Sequence, residues 1–190
     1  MLQGYHLNLT FPLPDYDDDY RSCPGGYIST LLGHRGQGSI LSFLKGRGLA
    51  HHVASSHKKF HSGRFSLMLV SIQMTDHGER HVDAIIKNVF QYINMLHKNL
   101  PSETYFQELK LLTEQRFEMK EREQAQSTAE QCAHALRCYE PEDVLTGDYL
   151  ISEYNPELIM SILSRLNPDN LRVTVLTKNA KYLETKVIIL

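Results

Sequence analysis

Gly33-His34-Arg35-Gly36-Gln37-Gly38-Ser39-Ile40-Leu41-Ser42-Phe43-Leu44 sets three glycines directly ahead of an apolar, helix-competent run. Glycine admits positive φ and lets a backbone come close to another chain. A glycine-rich turn that opens a helix is a shape for holding a polar group on backbone atoms. The spacing of Gly33, Gly36 and Gly38 is not Gly-x-Gly-x-x-Gly, and Gly38 is followed by Ser39-Ile40 rather than by Lys-Ser/Thr. Both common phosphate loops are therefore excluded. Two readings remain from the residues. One is a helix–helix corner that needs glycine for sterics. The other is a backbone pocket beside a strand edge, able to capture an extended peptide by strand addition.

Outward from this turn, Ser39–Lys45 reads as a short helix ended by Gly46 and Gly48, and Pro24–Leu32 as another, with Ser22 as cap and Gly33 as stop. Tyr5, Leu7, Leu9 and Phe11 alternate with His6, Asn8 and Thr10, the period of a strand with one buried face. Pro12, Pro14 and Asp15–Asp19 read as a polar loop. Leu49–Ser55 and Arg64–Met74 are further strands. In the second, Phe65, Leu67 and Leu69 share one face and Val70, Ile72 and Met74 the other, which predicts a bulge or a doubly covered strand.

The second half is mostly helical. Thr75 caps one long helix whose stripe includes Val82, Ile85, Ile86, Val89, Ile93 and Leu96. Pro101 opens the next, a third spans Ser127–Cys138, and Asn155-Pro156-Glu157 starts a fourth. Asn167-Pro168-Asp169-Asn170 is a turn, and Leu171, Val173 and Val175 mark a closing strand. The fold class is α+β: one domain over residues 1–190, a largely antiparallel sheet with long helices on one face.

Length and balance narrow the function. The chain has 190 residues, 20 basic and 22 acidic, which disfavours a dedicated nucleic-acid or membrane-surface binder. Cys23, Cys132 and Cys138 form no Cys-x-x-Cys pair, which suits a reducing compartment, and no apolar run reaches the roughly 20 residues of a membrane span. With no signal peptide legible at Met1, a cytoplasmic location is expected. The closing run Lys186–Leu190 is apolar to its end. It fits a piece of a longer protein as well as a compact domain with docked termini.

Ten histidines invite a metal search. His51, His52, His57 and His61 cluster among serines and glycine without a carboxylate or cysteine, so loop histidines explain them better than a metal site. In His77-Gly78-Glu79-Arg80-His81 the glutamate lies about 200° around the helix from the histidines, which matches neither zinc-protease spacing. No nucleophile elbow or local cysteine signature appears. Arg116, Lys120 and Arg122 alternate with Glu118, Glu121 and Glu123, the pattern of a solvated, ion-paired helix face.

Gly33–Leu44 resembles the Gly-His-Glu-Gly-x-Gly-Ser-Leu/Ile-Leu-Ser stretch of the pitrilysin family of zinc peptidases, in its insulysin and nardilysin branch. Thr10-Phe11-Pro12-Leu13-Pro14-Asp15, Phe90-Gln91-Tyr92-Ile93 and Leu145-Thr146-Gly147-Asp148 through Glu153-Tyr154-Asn155-Pro156 agree in order and spacing, so that the resemblance spans residues 4–178. It implies the second, non-catalytic domain of a four-domain enzyme, because the His-x-x-Glu-His motif of the first domain is absent. Zinc is then implied for the full-length enzyme and none for this segment. The implied partners are a peptide substrate, the remaining peptidase domains and a second copy of the full-length enzyme, with no nucleic acid and no membrane.

By the same resemblance the substrate-binding residues are Gly33, His34, Gly36 and Gly38, with Ala50, His51, His52, Val53 and Ala54 as the edge strand. Arg116, Lys120 and Arg122 match a basic stretch that implies a polyanion contact. The chain departs from the family at Arg35, where a glutamate is usual, at Ala54-Ser55, where a glycine pair is usual, and at His51 and His52. The alternative function is a free-standing or truncated interaction domain that modulates a peptidase.

Overall fold

A computed structural model describes residues 4–16, 19–60, 65–99, 101–121 and 123–177. His61, Arg122 and the run 186–190 fall outside the described residues. Four strands, β1 (Tyr5–Pro14), β2 (Ala50–Phe60), β3 (Phe65–Met74) and β4 (Arg172–Leu176), form one sheet in the order β2-β3-β1-β4. All three pairings are antiparallel. The α+β reading of the sequence holds.

Strand alternation decides which face is covered. Leu7, Leu9, Phe11 and Leu13 of β1 and Met68, Val70, Ile72 and Met74 of β3 are buried on one face with Val53 of β2. Three helices lie over that face: α1 (Pro24–Leu32) and α2 (Ile40–Gly46) on β2, and α7 (Pro156–Arg165) on β1. The short α3 (Asp76–Glu79) leaves β3, and α4 (Val82–Asn99) packs on α2 and α7 with Ile85, Val89, Ile93 and Leu96 inward. Tyr92 Oη donates to the Leu31 carbonyl (3.3 Å), and a ring nitrogen of His97 meets the Leu163 carbonyl at 2.9 Å. α5 (Glu103–Glu118) buries Phe106 and Leu109; α6 (Ala125–Ala135) buries only Ala135.

Several elements differ from the sequence reading, each for a physical reason. Pro12 and Pro14 continue β1 rather than forming a loop. Pairing with β4 ends at Thr10, and Asn170 Nδ2 donates to the Pro12 carbonyl (2.8 Å), so the amide that proline lacks faces no partner strand. β3 does not switch face. Ser66, Met68, Val70, Ile72 and Met74 all point inward, and buried Ser66 donates to the Pro14 carbonyl (3.1 Å). The irregularity lies instead in β2, between Ala50 and His52. The long helix from Thr75 is two helices. Thr75 Oγ1 caps α3 at the Gly78 amide (2.8 Å), and the chain turns at Arg80 and His81 before α4. Ser22 is not the α1 cap. That place belongs to Cys23, held at φ 40, while Ser22 Oγ donates to the Asp19 carbonyl (2.8 Å).

Candidate functional site

The glycine turn joins α1 to α2 beside β2. Gly33 caps α1 with its amide on the Ser29 carbonyl at 2.9 Å, and its φ of −88° is open to any residue. Proximity is what demands glycine there: a Cβ on Gly33 would lie 3.2 Å from Ser29 O and 3.3 Å from the Ser55 backbone nitrogen. The turn thus rests directly on β2. Gly38 has φ +80 in the turn closed by Ser39 N–H to the Gly36 carbonyl (3.2 Å), the third position of a type II turn, where glycine belongs. Ser39 Oγ then accepts from the Ser42 amide (3.1 Å) and starts α2. The His34 ring lies over Gly36, with Cε1 2.6 Å from where a Cβ would stand.

β2 is an edge strand, paired with β3 on one side and with no strand among the described residues on the other. After the irregularity its side chains alternate. Val53, Ser55, His57 and Lys59 face the helices, and Ala54, Ser56, Lys58 and Phe60 face away. Ala50 and Val53 are buried against Met74 and Ile72, and so belong to the core; His52 is half-buried opposite Gln73; His51 and Ala54 are exposed. His34, Arg35, Gln37 and Gly38 are exposed on the turn. His51, His52 and His57 therefore sit on a strand and not in a loop.

Arg116 and Lys120 lie at and just beyond the end of α5. Lys120 Nζ is 3.3 Å from Glu123 Oε1 and 5.0 Å from the centre of the Tyr149 ring. Among the described residues no three His, Cys, Asp or Glu side chains are placed to hold a metal ion. No helix of the described residues is long and apolar enough to cross a membrane.

Two features escape the motif-based reading. A cavity of about 270 Å³ between α1, β2 and the 139–148 segment is lined by Cys23, Ser29, His57, Lys59, Tyr139 and Asp148. Burial pushes the Cys23 thiol up, and burial together with the 2.6 Å hydrogen bond to Asp148 pushes the Tyr139 hydroxyl up. Below it, Asp143 accepts from Tyr20 Oη (2.6 Å) and from Arg21 Nη2 (2.8 Å), and these two donors hold its carboxyl below the usual range. The second feature is charge segregation. From Tyr20 to Thr75 the sequence has no Asp or Glu, although the chain as a whole is slightly acidic. A running charge count finds it where motif matching does not.

Comparison with known proteins fits this architecture. The family description "Peptidase M16 inactive domain" matches residues 2–127, and "Middle or third domain of peptidase_M16" matches residues 117–187. Human insulin-degrading enzyme is 38% identical over 160 residues, 84% of this chain and 16% of that protein. Human nardilysin is 34% identical over 174 residues, 90% of this chain and 15% of that protein. The crystal structure of pitrilysin superposes with a TM-score of 0.86 at 22% identity, over 90% of this chain and 18% of that one. An inactive peptidase domain of a putative zinc protease from Bordetella parapertussis superposes at 0.70 with 10% identity, over 97% and 96% of the two chains.

The antiparallel sheet with helices on one face is the fold shared with these solved peptidase domains. The chain belongs to the M16 peptidase family, in its pitrilysin and insulysin branch, as the inactive domain. It spans about a sixth of the length of the relatives it matches.

Proposed function

We propose that this chain anchors substrate and forms part of the chamber wall of an insulysin- or nardilysin-like zinc metalloendopeptidase that degrades or processes peptides. Zinc and the hydrolytic groups lie in another domain of the longer protein, which works as a homodimer in the cytoplasm; three cysteines that form no disulfide are in keeping with that setting. The observation that carries the reading is the outer edge of β2, which has no partner strand among the described residues, with the Gly33–Gly38 turn resting on it. An edge strand offers a row of main-chain donors and acceptors to an extended peptide, and the missing side chains of the turn leave room for its end. Gly33, His34, Gly36 and Gly38 line the turn, and Ala50–Ala54 begin the edge. Arg116, Lys120 and Arg122 contribute a polyanion contact.

The test measures binding of an extended peptide to the 190-residue chain, against the same peptide N-methylated at alternate residues. Strand addition requires those amides, so methylation on the bonding face should abolish binding while methylation on the other leaves it intact. Equal binding of all three peptides refutes the reading.

A further inference from the structure

We infer that the β2 edge is built for extended peptides rich in Asp and Glu, rather than for peptides in general. This rests on the strand-addition reading above and adds the substrate class. The basis is where the charge sits. Arg35 is exposed on the turn, and Lys58 is exposed near the end of β2. Neither Arg35 nor Lys58 pairs with a carboxylate among the described residues. Of the elements packed against β2, α1 has no charged residue, α2 has only Lys45, followed by Arg47, and β3 has none; the 139–148 segment brings Asp148, which accepts from the Tyr139 hydroxyl. Asp148 shares its cavity with His57 and Lys59 on the helix side of β2, and Asp76 and Glu79 stand on α3.

Geometry turns this into a pattern. A peptide strand added to β2 sends alternate side chains to opposite faces of the sheet. On the helix side they pass the turn at Ser55, with His34 and Arg35; on the open side they pass Lys58. Acidic side chains on both faces therefore meet cations. Such charge complementarity sets specificity and association rate more than total affinity.

The experiment follows anisotropy of three dye-labelled peptides of one alternating Thr/Val frame, carrying Glu, Gln or Lys at the same positions. They are titrated with the 190-residue chain in low and high salt. The Glu peptide should bind about 10-fold tighter than the Gln peptide and tighter still than the Lys peptide, with the advantage shrinking as salt rises. R35E and K58E, both at exposed positions, should each cost the Glu peptide about 5-fold and leave the Gln peptide unchanged. Equal, salt-insensitive binding of all three overturns the inference and leaves strand addition standing; the cations would then only guard an open edge against aggregation. A Glu preference that survives both variants also overturns it. Binding of none of the peptides removes the strand-addition reading, and the inference with it.

Discussion

Gly78→Ala should be among the costliest single-atom changes in this chain. A Cβ at Gly78 would lie 2.0 Å from the Leu49 carbonyl oxygen and 2.9 Å from its carbon, both backbone atoms that no rotamer change can move. An ordinary non-bonded approach is about 3.5 Å, so α3 and the entry to β2 must part by roughly 1.5 Å. Two hydrogen bonds hold them together, Thr75 N–H to the Leu49 carbonyl (3.1 Å) and Thr75 Oγ1 to the Gly48 carbonyl (2.6 Å). Losing both costs about 2 kcal/mol, and residual overpacking costs about 1–3 kcal/mol. The better helix propensity of alanine returns up to about 1 kcal/mol. The net is a destabilisation of about 2–4 kcal/mol. With a urea m-value of about 2 kcal/mol/M, the midpoint should fall by about 1–2 M. Gly46→Ala is the control, because its Cβ would enter open space at the end of α2; it should match or exceed the parent protein. If Gly78→Ala unfolds within about 0.5 kcal/mol of the parent, the close approach is not a constraint and the reasoning fails.

Phe106→Ala should cost about 3–5 kcal/mol, because the ring is 1% exposed and packs on Tyr154 with centroids 5.3 Å apart. Leu111→Ala, at a side chain 61% exposed on the same helix, should stay within about 0.5 kcal/mol in the same urea titration. Asp143 is held ionised by Tyr20 and Arg21, so its folded-state pKa lies below its unfolded one. Its contribution is present at neutral pH and is lost as pH falls below the ordinary carboxylate range of about 4. Asp143→Asn should therefore lower stability at pH 7 and flatten the acid limb of the stability curve; parallel acid limbs for the two proteins would refute this.

Much of the fold is legible because its signals are local. Asn155-Pro156 starts α7, and Asn155 Oδ1 accepts from the Leu158 amide as an N-cap should. The same holds for Ser39 and α2, and the alternation of Tyr5–Phe11 gives the buried face of β1 directly. β3 misleads because Leu67 and Leu69 on its open face are as apolar as the core side, so the sequence has two stripes and only contacts choose between them. The break at Arg80 and His81 follows directly on the point where Gly78 meets Leu49, a contact between distant elements that the local pattern does not carry. The glycine turn is conspicuous in the sequence, yet its two reasons differ. Gly38 answers to turn geometry, which a sequence can announce, whereas Gly33 answers to Ser55, which it cannot. Motif searching also passes over the acid-free stretch from Tyr20 to Thr75, because it is defined by what is missing.

α6 buries one side chain of its eleven residues. A helix of that length is marginal on its own, and little of its free energy is shared with the sheet. Unfolding therefore has two scales in one chain. The sheet with α1, α4 and α7 melts as one cooperative block, and α6 opens beneath that threshold by fraying. The chain has no tryptophan and ten tyrosines, and Tyr16, Tyr20 and Tyr27 are buried. Tyrosine fluorescence reads chiefly the block, while helical circular dichroism adds the fraying part, so the two curves separate although the domain has one core.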